Sequence, residues 1–238
     1  VVRGGMSDAS YATLMTLLAD VGRKPIETKD ISGFVSNSVL MVVAVMALRL
    51  VEAGVAIEAV DAVTKELGAL PPFFSFDSWK PSIVEDVTRV MFEFRGDEFL
   101  RSSKLLAALA NGNPLFYVDQ KPNPAIYDLV EKRGAGLSPS IAKLALITSV
   151  RLAAARTVEL GEAPATVDFI STEGLKFPRG PLAEIDELGA AAVLNDLQTV
   201  NSAIANGMTA PQLLRAMAED KQTFFKDGQA NPWVAGLP

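Results

Sequence analysis

The sequence predicts a mostly α-helical chain built from two tandem copies of one helical unit, led by a short β-α-β segment. Two observations carry this. First, residues 48–71 (LRLVEAGVAIEAVDAVTKELGALP) recur as residues 155–178 (ARTVELGEAPATVDFISTEGLKFP). At a constant offset of 107, Val51, Glu52, Gly54, Ala56, Val60, Asp61, Glu66 and Pro71 meet Val158, Glu159, Gly161, Ala163, Val167, Asp168, Glu173 and Pro178, and Asp77 meets Asp186 after a two-residue adjustment. Second, from Ile31 onward the apolar residues recur at helical spacing between Gly, Pro and capping residues. The expected division is 1–30 for the leading segment, 31–134 for the first unit and 135–238 for the second.

The elements follow from this punctuation. Residues 1–3 and 25–28 read as short strands around a helix near 7–21, capped by Ser7 or Asp8 and stopped by Gly22. Such a piece leaves strand edges unpaired, so it belongs to a larger sheet. Residues 37–53 are apolar nearly all round and predict a central buried helix ended by Gly54. Residues 56–67 form a shorter amphipathic helix, and Pro71-Pro72 then predicts an extended turn. Ser82 with Glu85 reads as a capping box for the next helix. Residues 100–109 predict a short helix, a turn follows at 111–114, and Asn123-Pro124 places a cap and an N1 proline before 126–132. In the second unit Ser138-Pro139 opens a long helix to Leu160. Helices at 164–172 and at 182–205, interrupted near Gly189, follow. Thr209 with Gln212 reads as a capping box for 213–220, and 226–238 reads as a loop.

Composition narrows the function. A net charge of −6 with 22 Lys and Arg against 28 Asp and Glu excludes the basic footprint that nucleic acid requires. The chain has no Cys and no His, so it holds no thiolate, Cys-ligated zinc or Ser-His-Asp site of its own. The longest apolar run, residues 39–48, is half the roughly 20 residues of a membrane span, so a buried helix and no membrane span are expected. The first residues lack a signal-peptide pattern, and a cytoplasmic piece of a longer protein is the expectation.

VVRGG, followed by GRKPIETKDISGFVSNSVL, resembles a stretch of the L-3-hydroxyacyl-CoA dehydrogenases. There a pattern close to E-V-V-R-G precedes G-K-x-P-x-x-x-K-D-x-P-G-F-x-x-N-R where the chain leaves the NAD-binding Rossmann domain for the helical C-terminal domain. LKFPRGPLAEIDELGAA is similar to G-F-P-P-F-R-G-G-P-L-x-x-x-D-x-L-G-A of the multifunctional fatty-acid β-oxidation enzymes, which carry two such helical domains in tandem. The resemblance runs from Val1 to about residue 198, with Gly33-Phe34, Asn37 and residues 179–182 as anchors. Ser32 and Ser38 depart from it, standing where the family has Pro and Arg.

The resemblance implies two C-terminal-type domains behind a remnant of a Rossmann domain whose remainder would hold NAD and a catalytic His. The complete enzyme would then oxidise L-3-hydroxyacyl-CoA to 3-ketoacyl-CoA with NAD. This chain alone would bind no cofactor and turn nothing over. Its partners would be the acyl-CoA substrate and the missing NAD-binding domain, with a homo-oligomer as a further option. An interaction or dimerisation module derived from the family is the alternative. A third class, other dehydrogenases with a helical C-terminal domain, predicts a Lys at the start of the central helix, which the first unit lacks.

Asn37 matches the Asn of G-F-x-x-N, which in the family helps hold the reacting oxygen. A carboxamide can offer a directed N–H to a developing alkoxide. Read on its own, Asn37 is equally a helix cap. The 107 offset sets Leu144 opposite it, so only the first unit keeps the amide. Met41, one turn further on, and Pro72 and Phe73 are the substrate-binding candidates, with Phe73, Phe74 and Phe76 either lining an acyl-chain pocket or filling the core. Asp77 and Asp186 recur in both units, which favours turn or capping roles. Arg179 either meets a CoA phosphate or braces its PRGP turn.

Overall fold

The computed structural model describes residues 1–112, 114–130, 136–204 and 207–235. The expected unit boundary at 134–135, the end of the helix predicted over 126–132 and residue 205 lie outside them, as do residue 113 of the predicted 111–114 turn and the last three residues. The chain is mostly helical, as its apolar spacing predicts.

Ser7 caps the first helix, α1 (Asp8–Asp20), accepting the Ser10 N–H at 3.2 Å. The flanking segments meet in one parallel bridge, Val2 with Thr28. The two short strands expected there are thus reduced to that bridge, because neither segment has a second neighbour to build a ladder on. No residue of α1 is buried. Lys24 pairs with Glu173 at 2.8 Å and the Lys29 N–H donates to Glu162 at 2.9 Å, tying this segment to the far half of the chain.

The first helical series runs α2 (Phe34–Glu52), α3 (Ile57–Glu66), α4 (Pro72–Trp79), α5 (Pro81–Arg95), a 3₁₀ turn (Glu98–Leu100) and α6 (Lys104–Gly112). An antiparallel hairpin of β1 (Tyr117–Val118) and β2 (Lys121–Pro122) and then α7 (Pro124–Asp128) complete it. The second series runs α8 (Pro139–Glu159), α9 (Pro164–Phe169), a π turn (Ile170–Gly174), α10 (Pro181–Leu188), α11 (Ala190–Ala203) and α12 (Gln212–Asp220). It closes on the hairpin β3 (Phe225–Lys226) and β4 (Gln229–Ala230) and on α13 (Pro232–Ala235). The order of helices and hairpins is the same in both series, although the first has a 3₁₀ turn after α5 and the second a π turn after α9.

The repeated acidic residues explain why the order repeats. The first N–H groups of a helix have no intrahelical partner. Asp61 on α3 accepts the Phe73 and Phe74 N–H groups that open α4, at 3.0 and 3.2 Å, and Asp168 accepts those of Leu182 and Ala183 that open α10. Asp77 holds the Phe116 and Tyr117 N–H groups at the first hairpin, at 2.6 and 3.0 Å, and Asp186 holds those of Phe224 and Phe225. Glu52 and Glu159 do the same for Leu105 and Leu213 at the starts of α6 and α12. These are turn and capping roles, as the recurrence of Asp77 and Asp186 suggests.

Helices α2 and α8 pack side by side at the centre, and the remaining elements surround them. Helix α2 is long and apolar enough to cross a membrane, yet it is enclosed by the chain itself, with Val39, Met46, Ala47 and Leu50 fully buried. The rings of Phe73, Phe76 and Phe116 stack on one another beside it, with centroids 4.7–5.9 Å apart.

Several local expectations are corrected. Helix α2 starts at Phe34 rather than at 37, because Gly33 takes the cap position in left-handed backbone (φ 82°) without a side-chain cap. Pro72 does not extend a turn but opens α4 as its N1 residue, where its missing N–H costs nothing. Likewise Pro81 opens α5 with Lys80 at the cap, so Ser82 and Glu85 lie inside the helix and form no capping box. Pro211 holds the α12 cap position, and Thr209 instead accepts from Arg156. The tail expected as loop contains β3, β4 and α13. The predicted break at Gly189 is present, with φ 84° matching φ 68° at Lys80 in the first series.

Replacing Asp77 by Ala strands two backbone N–H groups at the first hairpin. Urea titration of the chain is expected to show about 3–6 kcal/mol lower stability for Asp77→Ala, the worth of two hydrogen bonds to a charged acceptor.

Candidate functional site

The turn into α2 is the most constrained piece of backbone in the first series. Gly33 (φ 82°) and Phe34 (φ 48°) are both left-handed. A Cβ on Gly33 would sit 2.8 Å from the Met91 sulfur, so glycine is required there by both conformation and space. Asn37 lies in the first turn beyond, its N–H bonded to the Gly33 carbonyl at 3.1 Å. Its side chain is half-buried, and among the described residues its carboxamide has no hydrogen-bond partner. Of the two readings of Asn37, the helix cap is therefore excluded, because the helix begins three residues earlier and the amide holds no N–H.

Beside Asn37, Ser38 is fully buried. Its hydroxyl donates to the Phe34 carbonyl and accepts from Arg95 Nη2 at 2.6 Å, and the same nitrogen donates to the Ser32 carbonyl. Arg95 Nε and the Ser32 hydroxyl are buried without a partner. Burial pulls the Arg95 guanidinium down to about 10, with Asp97 opposing the shift and Arg156 adding to it. A narrow cavity of about 20 Å³, lined by Ser38, Arg95, Asp97, Arg156 and Thr209, lies here between the two series.

The other candidates do not converge on Asn37. Met41 is 5 % exposed inside the core. Pro72 is buried at the start of α4, and Phe73 is fully buried against Phe76 and Phe116. All three are closed off, so in this chain Phe73 fills the core rather than lining an open pocket, and Pro72 and Met41 line none either. Phe74 alone of that run is exposed, at the edge of a groove of about 630 Å³ with Glu58, Lys65, Pro71 and Tyr117. Arg179 pairs with Glu187 on α10, bracing its turn.

Arg95 was missed by sequence reasoning, although the signal was available. The inward face of α5 runs Val84, Thr88, Met91 and Arg95, which places a cation on a buried stripe. Tyr117 was missed as well. Its phenol donates to Asp61 at 2.9 Å, and burial and the carboxylate together hold it well above its ordinary range.

Residues 33–116 match the family described as 3-hydroxyacyl-CoA dehydrogenase, C-terminal domain. The match covers 84 of the 238 residues. The matched segment starts at the glycine that sets the α2 turn and ends at the Phe116 ring that closes the aromatic core. Asn37, Ser38 and Arg95 all lie within it. NAD serves the family, and the residues present do not fit it. Gly4 and Gly5 follow no strand ladder, and a Cβ at either would meet nothing within 4 Å, so no tight dinucleotide cradle exists among the described residues.

Asp61 offers a pH test of this packing. Burial raises its carboxyl above the usual range against the opposing N–H bonds from Phe73 and Phe74. A carboxyl raised in the folded state binds its proton more tightly there than in the unfolded chain. Its contribution to stability therefore grows as pH falls from neutrality through the raised value, and levels off below the unfolded value of about 4. The stability of the unmodified chain relative to Asp61→Asn is expected to rise as pH falls from 7 to 4 in paired urea titrations.

Proposed function

We infer that the chain is the substrate-side helical portion of an NAD-dependent 3-hydroxyacyl-CoA dehydrogenase, acting within a longer cytoplasmic parent in fatty-acid β-oxidation. The single observation that carries this is the uncommitted, half-exposed carboxamide of Asn37 at the start of the central helix of a segment that matches that family. A preorganised N–H aimed at the 3-oxygen stabilises the charge that develops there when hydride leaves. The nicotinamide dinucleotide would be held by a domain outside this chain and would accept that hydride. This chain's own part is to hold the 3-oxygen through Asn37 and to keep water from one side of the cleft.

Two exposed apolar surfaces support a further body packed on the first series. Helix α1 leaves Leu17 and Val21 58 % and 64 % exposed. The outward face of α5 presents Ile83, Val90 and Phe94, the last 78 % exposed, where α11 has Ala192, Thr199 and Ala203. Apolar residues aligned on a solvent-facing stripe mark an interaction surface, and among the described residues α11 shows no such stripe. On this reading the second series is a structural copy that pairs with the first through α2 and α8, as two single-copy domains pair in a dimer. The same stripe favours the second reading, a non-catalytic interaction module descended from the family.

NADH-dependent reduction of acetoacetyl-CoA by the complete parent protein decides between them. An active parent whose turnover falls roughly 10²-fold on Asn37→Ala, the scale of losing one oxyanion donor, with an unchanged melting temperature, is the expected result. Full turnover in that variant would reject the role of Asn37, and a silent parent would leave the interaction module.

A further inference from the structure

Arg95 is a half-buried cation whose hydrogen bonds go to a carbonyl and a hydroxyl, with its buried Nε left unpartnered. Burying a charge without a paired carboxylate costs stability, and replacing such a group by an apolar side chain of similar size is often neutral or stabilising. The fold itself does not need it, because the chain contains its own control. Counted along the sequence offset, Ile204, 3 % exposed and in extended backbone just past the end of α11, stands where α5 ends on Arg95, and α8 places fully buried Ala145 where α2 has Ser38 and Leu144 where it has Asn37. Guanidinium, hydroxyl and carboxamide thus stand opposite three apolar side chains in the second series, which has the same order of helices and hairpins.

What the trio does in the first series follows from where it attaches. Arg95 grips the Ser32 carbonyl on one side of the left-handed Gly33–Phe34 pair and Ser38 on the other, and Ser38 in turn holds the Phe34 carbonyl. Left-handed backbone at a bulky residue such as Phe34 is held only where its surroundings over-determine it. The second series opens its helix with an ordinary serine cap, Ser138 accepting the Ile141 N–H at 3.4 Å, and uses no such clamp. Asn37 hangs from this turn through its N–H bond to Gly33, so any rotation of the turn swings the carboxamide.

We propose that Arg95, acting through Ser38 and the Ser32–Phe34 backbone, is a positioning residue that aims the Asn37 carboxamide, and that it is retained for this purpose and not for stability. The proposal rests on the dehydrogenase reading for its catalytic consequence, though not for its geometric one.

The test has two arms, both using the double variant Ser38→Ala with Arg95→Ile, which copies the second series, and Arg95→Lys, which keeps the charge but loses the fork. In the 238-residue chain, the melting temperature of the double variant is expected to stay level or rise while the Asn37 side-chain amide resonances shift or broaden. In the parent enzyme its kcat is expected to fall roughly 10- to 100-fold, as for a small misplacement of a catalytic group, with KM within about twofold. Arg95→Lys is expected to recover part of that loss. Unmoved Asn37 resonances, or a double variant that melts far below the unmodified chain, would overturn the proposal. So would full kcat in an active parent. A parent without dehydrogenase activity would sink the functional reading alone, and the resonance arm would still decide the positioning claim.

Discussion

The constraint on which the structure depends is the apolar character of α2 on all its faces. A helix without a polar side must be enclosed all round, and the first series by itself offers too few elements to do so. Helix α8 supplies the missing wall, and the two series share one core instead of touching at a polar boundary. The first turn of α2, with Asn37, is in consequence the place where a rigid, buried element reaches the surface. A side chain mounted there inherits the stiffness of the core behind it, which is what a group that must hold a reacting atom needs.

Around that pair, shape is imposed by a small set of carboxylates that each bind two backbone N–H groups. Asp61 and Asp168 fix where the third helix of each series begins, and Asp77 and Asp186 fix the hairpins. Gly180 shows how tight this is: a Cβ there would overlap the Asp168 carboxylate. Insertions are confined to the loops between such anchors, which is why the offset moves from 107 at Asp61 and Asp168 to 109 at Asp77 and Asp186 while the bonds are conserved.

The helices with strong apolar spacing or a Gly stop were legible in the sequence: α2, α3, α8 and the break between α10 and α11. The helix starts were less so. At α4 and α5 a proline reads as a breaker when taken alone, and only the structure shows it at N1, with Asp61 reaching in from elsewhere to hold the N–H groups that follow. The hairpins are two residues per strand, too short for alternation to register, although Asp227-Gly228 is a turn signal of the two-residue kind, with both residues at positive φ. Of the candidate site, Asn37 was legible as a position but not as an uncommitted amide. Arg95 was legible as a cation on the inward stripe of α5, but its role was not, because its partners, Ser32 and Ser38, lie some sixty residues away in sequence. For Phe73 the sequence left both an acyl-chain pocket and the core open, and its burial decides for the core.

Two series with the same order of helices and hairpins in one chain help to separate the demands of folding from those of function. Tyr117, with Phe225 at the equivalent position, is an asymmetry that folding can absorb: the phenol is satisfied by Asp61, and the ring shape is kept in both series. The hydroxyls of Thr148 and Ser171, buried and unpartnered in the second series, are small departures, because a stranded hydroxyl costs far less than a stranded charge. Arg95 belongs to neither kind. It is a charge, it is incompletely satisfied, and its equivalent in the second series is an isoleucine that packs without difficulty. A cost carried in one copy and avoided in the other has to be balanced by something only the first copy does, and the difference lies one residue from Asn37.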